Sequence, residues 1–212
     1  MIGLSKVLDS IRDTVRGYMN RIAAWLNKVS NGQLHPNTIT YIGFGMHVPI
    51  AFLIAQQRFI VAAGLLVVFG LFDALDGALA RIQKRDSAGG MLLDASTDRM
   101  KEVLLYIGVA YALAQSGTPI GAVWAVAACG ASICVSYVKA KGEAAVASSK
   151  TSAAEVNALF KEGLLRFEVR MFFLVVGLLA GQLLAVLILI SVLSTYTAFD
   201  RLVRISKTLE PK

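Results

Sequence analysis

Four aspartates, Asp73, Asp76, Asp94 and Asp98, stand in a stretch that is otherwise largely apolar. Asp73, Asp76, Gly77 and Ala80 fall at i, i+3, i+4 and i+7, so a helix would present them on one face. Asp94 and Asp98 are i and i+4, one turn apart on a shared face. Between the pairs lies a short basic break, Arg81 to Gly90, so two helices joined by it can turn four carboxylates toward one another. Carboxylates gathered away from water need cations between them to stay ionised together. Oxygen donors alone, with no His or Cys beside them, suit Mg²⁺ or Mn²⁺ rather than zinc. Two other uses compete. One is a structural cluster neutralised by Arg81 and Arg99, but simple pairing does not require the small residues Gly77, Ala80 and Gly90. The other is the relay of a carboxylate-lined ion transporter, which would place them near the bilayer midplane. Here all four map to one membrane face.

The elements that must hold these side chains are membrane helices. The 212 residues are 56% hydrophobic and only 17% charged, with mean hydropathy +0.64, a membrane-protein composition. The net charge of +7 reads as basic residues kept on one side of a bilayer, and no nucleic-acid partner is expected. Residues 1–33 read as an amphipathic surface helix. Its stripe is Leu4, Val7, Leu8, Ile11, Val15, Met19, Ile22 and Leu26, with Lys6, Arg12, Arg16 and Arg21 off it. Residues 34–206 read as six spans of about 20 residues each, and 207–212 as a tail. The spans are His35 to about Gln57, Phe59 to about Ile82, about Met91 to Gln115, Ile120 to Ala145, Leu164 to Ala180, and Leu183 to Arg204. Turns are expected at Ser30-Asn31-Gly32, Gln56-Gln57-Arg58, Ser116–Pro119 and Gly181-Gln182. Lys and Arg concentrate in the N-terminal segment, the Arg81–Arg85 loop, the Lys139–Arg170 region and the tail. Both termini and the aspartate loop are therefore expected on the cytoplasmic side of the cell membrane. Cys129 and Cys134 read as small buried hydrophobes, His47 as a packed polar residue, and Trp25 and Trp124 as interface or packing residues.

The residues D-x-x-D-G-x-x-A-R, eight more, then G-x-x-x-D-x-x-x-D run from Asp73 to Asp98. This resembles the motif of the CDP-alcohol phosphotransferases (CDP-alcohol phosphatidyltransferases), integral-membrane enzymes of phospholipid synthesis, without departure at a fixed position. The resemblance implies an all-α fold of six transmembrane helices after a juxtamembrane helix, and a homodimer. It implies two Mg²⁺ or Mn²⁺ ions held by Asp73, Asp76, Asp94 and Asp98, with Asp98 also the base on the acceptor hydroxyl. It implies a donor, CDP-diacylglycerol, lying against Gly77, Ala80 and Gly90, with Arg81 and Ser87 contacting it. Pro36-Asn37-Thr38-Ile39-Thr40 resembles the family's opening of the first span, so Asn37, Thr38 and Thr40 are expected beside the nucleotide.

Ser136-Tyr137-Val138-Lys139-Ala140 resembles a segment of the family's inositol-phosphate branch, where a serine and a basic residue hold the acceptor's phosphate. Arg166, Arg170 and Arg201 bring further cations to the same expected face. The expected acceptor is therefore a phosphorylated polyol, first inositol phosphate, giving phosphatidylinositol phosphate and cytidine monophosphate. Leu165–Arg170 departs from that branch, which leaves open Arg166 against Arg170, and glycerol phosphate as the alternative acceptor. An archaeal-type ether-lipid donor would present the same headgroup.

Overall fold

The computed structural model describes residues 2–147 and 167–209, all of whose regular structure is helical. In chain order the helices are α1 (Ile2–Val29), α2 (Pro36–Ala55), α3 (Phe59–Gly70), α4 (Phe72–Gln83), α5 (Ala88–Gln115), α6 (Pro119–Ala147), α7 (Phe167–Ala180) and α8 (Leu183–Leu209). The expected turns are present. Gly32, Gly117 and Gly181 take positive φ, joined by Asn31 and Gln57. Gly117 at +76° and Gly181 at +65° occupy the left-handed region where a Cβ would be strained, which is why the helices before them stop there.

The stretch expected as one second span is two helices. Leu71 lies at the joint, where its N–H reaches the Val68 carbonyl at 3.3 Å in a tightened i→i−3 turn. Gly70 before it contributes no side chain to stiffen the helix. The aspartates Asp73 and Asp76 thus ride on a separate 12-residue helix. That helix ends in a left-handed cap at Lys84, φ 53°, with the Arg85 N–H on the Ala80 carbonyl at 2.9 Å. Four described stretches are long and apolar enough to cross a membrane: Pro36–Ala55, Phe59–Gln83, Pro119–Val146 and Leu183–Leu209. The expected third and fifth spans are not among them. The first half of α5 carries Asp94, Asp98, Arg99, Lys101 and Glu102, and α7 is described over 14 residues only.

The chain packs as two units, one of Met1–Ile50 with Gly64–Leu104, the other of Ala51–Ala63 with Leu105–Lys212. In the first, α1 lies on α4. Met19 and Ala23 are buried with Ile39, Leu75, Ala78 and Leu79, flanked by Val15 and Leu26. The inward line of α1 is therefore Val15, Met19, Ala23 and Leu26. Ile22, expected in that stripe, is exposed with Tyr18, Trp25 and Val29. Tyr18, Ile22, Trp25 and Val29 form a second apolar line at i, i+4, i+7 and i+11. Gln83 ties the end of α4 to this helix, its Nε2 donating to Asn27 Oδ1 and to the Leu34 carbonyl, both at 2.9 Å.

In the second unit α6 and α7 pack on α8. The buried side of α8 steps through Leu183, Leu187, Ile190, Ser194, Thr197 and Arg201, alternating four and three residues. That period of 3.5 keeps one seam against a neighbouring helix. On α6 the residues Ala125, Ala128, Ser132 and Val135 are buried at the same alternation, and their small size allows close approach. Gly108 marks another close contact. A Cβ there would stand 2.5 Å from the Ala51 carbonyl oxygen, whereas one at Gly130 would meet nothing within 4 Å. Gly108→Ala should therefore lower stability by roughly 1–3 kcal/mol through overpacking. Gly130→Ala should hold or raise it by about 0.5–1 kcal/mol. Thermal unfolding in detergent reads both: the midpoint should fall for Gly108→Ala and should not fall for Gly130→Ala.

Candidate active site

Two local facts position the aspartates. On α4, Asp73 sits in the first turn and Asp76 one turn on. On α5, Gly90, Asp94, Asp98 and Lys101 step by four, four and three residues along one side. Ser87 starts that helix as its N-cap, its Oγ accepting the Gly90 N–H at 3.0 Å. This is why α5 begins three residues before the expected Met91.

Carboxylate oxygens of Asp73, Asp76 and Asp94 lie within 4.8 Å of one another. Thr40 Oγ1 donates to Asp76 Oδ2 at 2.5 Å, and Asp76 is buried. Asp94 Oδ1 is buried without a hydrogen-bond partner. Three carboxylates at this spacing, one of them carrying a buried oxygen without a hydrogen-bond partner, fit a divalent hard cation. Asp98 stands outside that trio and belongs to an ion-pair chain. Lys101 Nζ donates to Asp73 Oδ1 at 2.5 Å and to Asp98 Oδ1 at 3.2 Å. Arg99 reaches Asp98 at 3.8 Å and Glu102 at 2.8 Å. Lys101 and Glu102 are fully buried, at 1% and 0% exposure.

Lys101 and Glu102 are the residues that sequence reasoning missed. The signal was available: Lys101 follows Asp98 by three and Asp94 by seven, on the same helix face. Arg81 and Arg99 are the neutralising partners that the sequence suggests for a structural cluster. Arg81 is exposed at the end of α4, and the two carboxylates that an ammonium bridges are held by Lys101.

The residues expected against the donor sort by surroundings. A Cβ at Gly77 would meet only Arg81 Nη1, at 3.5 Å, and one at Gly90 would meet Ser87 Oγ at 3.3 Å and Asn37 Oδ1 at 3.8 Å. Gly77 therefore is not a helix-packing glycine among the described residues, since no neighbouring backbone lies on it. Ala80 is half-buried, and Thr38 and Ser87 are exposed. The Ser87 hydroxyl, already an acceptor, keeps its own proton to donate. Thr40, expected beside the nucleotide, is spent on Asp76.

Of the residues expected to hold the acceptor's phosphate, Ser136, Lys139, Arg170 and Arg201 lie in the second unit. Arg170 and Arg201, on the neighbouring helices α7 and α8, are buried at 1% and 6% exposure. Lys139 is exposed and pairs with Glu143 at 3.6 Å. Ser136 is half-buried, its Oγ 3.4 Å from the Ser132 carbonyl. Arg166 lies outside the described residues. His47 is buried as expected, with Nδ1 2.7 Å from the Gly43 carbonyl. Of the cysteines, Cys129 is half-buried, but Cys134 is exposed, an apolar-run position turned outward instead of into a core.

The fold and the site define a class, a multi-pass helical membrane protein with a carboxylate cluster at a helix-to-helix turn whose spacing suits a divalent cation. Its family follows from sequence comparison: the model of CDP-alcohol phosphatidyltransferase matches residues 33–198, and the chain belongs to that family. It is 27% identical over 210 residues to the archaetidylinositol phosphate synthase of Methanothermobacter thermautotrophicus, covering 96% of each chain. It is 30% identical to the phosphatidylinositol phosphate synthase of Cutibacterium acnes over 152 residues, 70% of this chain and 71% of that one. Among solved structures, the fold matches Mycobacterium tuberculosis phosphatidylinositol phosphate synthase with CDP-DAG bound, at TM-score 0.75 and 24% identity, over 88% of this chain and 92% of that one. The same enzyme in complex with manganese and citrate matches at TM-score 0.73 and 23% identity, over 89% and 88%.

The trio makes a direct prediction. Saturating Mn²⁺ should raise the thermal midpoint of the protein, since a ligand at 100 times its Kd contributes about 2.7 kcal/mol. Asp76→Asn and Asp94→Asn should each remove most of that rise while leaving the metal-free midpoint near its original value, as differential scanning fluorimetry would read.

Proposed function

We propose that the protein transfers a phosphatidyl group from CDP-diacylglycerol to a phosphorylated polyol, first of all inositol phosphate, releasing cytidine monophosphate. The observation that carries this is the meeting of Asp73, Asp76 and Asp94 within 4.8 Å, beside a Gly77 face on which no neighbouring backbone lies. In this reading Asp73, Asp76, Asp94 and Asp98 hold two Mg²⁺ or Mn²⁺ ions. Bound there, the ions would neutralise the donor diphosphate and ease departure of cytidine monophosphate.

The chain's own residues do the rest. Gly77, Ala80 and Gly90 leave room for the nucleotide headgroup, and Arg81 gives charge-assisted hydrogen bonds to its phosphates. Ser87 donates its hydroxyl proton from the N-cap of α5, and Asn37 and Thr38 border the cytidine. Thr40 holds Asp76 in orientation. Asp98 takes the proton of the attacking acceptor hydroxyl, and its fixed position between Lys101 and Arg99 is what makes it usable as a base. Ser136, Lys139, Arg166 or Arg170, and Arg201 receive the acceptor's phosphate. The burial of Arg170 and Arg201 supports this role, because cations that merely snorkel would reach water. The protein works as a homodimer with six spans, α5 and the segment around α7 completing the set. Both termini and the active site face the cytoplasm, and α1 lies along the bilayer surface with Tyr18 and Trp25 in the headgroup layer.

A second reading concerns the donor's tails. The archaetidylinositol phosphate synthase match runs over nearly the whole chain, which favours testing an archaeal ether lipid as donor beside the diacyl one. Purified protein with Mn²⁺ should release cytidine monophosphate only when an acceptor is supplied, and chelation should stop it. Supplying each donor with inositol phosphate, free inositol or glycerol phosphate, and weighing the lipid product, identifies both substrates. Turnover should follow inositol phosphate, with free inositol at least about tenfold poorer, since the acceptor cations then lack their anion. Arg201→Ala should raise the acceptor KM about ten- to a hundredfold with donor KM nearly unchanged. Preference for glycerol phosphate would reassign the acceptor, and ion flux without nucleotide turnover would overturn the reading.

A further inference from the structure

Lys101 has no counterpart among the motif residues, yet its ammonium lies inside the aspartate site. It is 1% exposed and bridges Asp73 on α4 to Asp98 on α5. The neighbouring pair Arg99 and Glu102 cancels itself at 2.8 Å. The site therefore consists of four carboxylates and one built-in cation, three net negative charges. A lysine at an active-site cluster is a costly device unless the charge is used, because desolvating an ammonium is offset only by well-placed partners.

We propose that Lys101 is a fixed countercharge that positions Asp73 and Asp98 and sets the net charge of the loaded site. This rests on the metal-dependent reading above. Two divalent ions on the four carboxylates alone would give a neutral site. With Lys101 the loaded site carries one net positive charge, which attracts a donor bearing an anionic diphosphate. The same charge repels metal, so Lys101 trades metal affinity for donor affinity. It also grips one oxygen of Asp73 and one of Asp98, which keeps the two helices in register before metal arrives.

The two effects have opposite signs, and a purely structural lysine could not produce that. In Lys101→Gln, Mn²⁺ bound to the purified protein, counted by the electron paramagnetic resonance of free Mn²⁺, should bind at least about fivefold more tightly. At saturating Mn²⁺ the KM for CDP-diacylglycerol should rise at least about fivefold. Lys101→Arg, which keeps the charge, should restore both values toward those of the unsubstituted protein. Weaker or unchanged Mn²⁺ binding in Lys101→Gln overturns the proposal, as does an unchanged donor KM. If Lys101→Gln does not fold, Lys101→Met is read in the same way. Failure of both neutral variants to fold, even with saturating Mn²⁺, overturns it in favour of a structural ion pair. Absence of Mn²⁺ binding in the unsubstituted protein would instead strike the metal-dependent reading itself.

Discussion

Everything in the first unit answers to one constraint, that several carboxylates must sit close together inside a largely apolar helical protein. Bringing like charges within 4.8 Å costs Coulomb energy that grows as the surroundings exclude water. The chain meets part of the cost with a buried ammonium at Lys101 and a hydroxyl proton from Thr40 on Asp76, while one buried oxygen of Asp94 has no hydrogen-bond partner.

The rest of that unit holds α4 steady. A 12-residue helix is too short to be stable alone, and its joint at Leu71 frees it from the stiffness of α3. Its inner face, Leu75, Ala78 and Leu79, is buried with Met19 and Ala23 of α1, and Gln83 ties down its end. The amphipathic N-terminal helix is therefore part of the active-site support. Its second apolar line, through Tyr18 and Trp25, is exposed.

The second unit solves a related problem differently. Arg170 and Arg201 are buried on helices whose seams are otherwise small or apolar. Guanidinium groups tolerate such places better than ammonium groups, because their charge is delocalised and more weakly hydrated. Lys139, by contrast, stays at the exposed end of α6 with Glu143. Two arginines are thus buried in this unit where one lysine stays exposed, a contrast that snorkelling alone would not produce.

Much of this was written locally in the sequence. Helical class, the turns at Gly117 and Gly181, the four apolar stretches and the two aspartate faces all follow from periodicity and glycine chemistry, which involve residues within a turn or two. The break at Leu71 was not legible, because an apolar run reads the same bent or straight. Nor was the split of α1 into two apolar lines, since only the packing of α4 decides that Ala23 is buried and Ile22 is not. Spacing along α5 puts Lys101 on the face of Asp94 and Asp98, but only tertiary structure decided that it bridges to Asp73 on α4. Lys101 meets Asp73 across 28 positions and Thr40 meets Asp76 across 36. Contacts between helices depend on how the helices dock, and spacing along one helix shows only which side chains share a face, not what stands opposite.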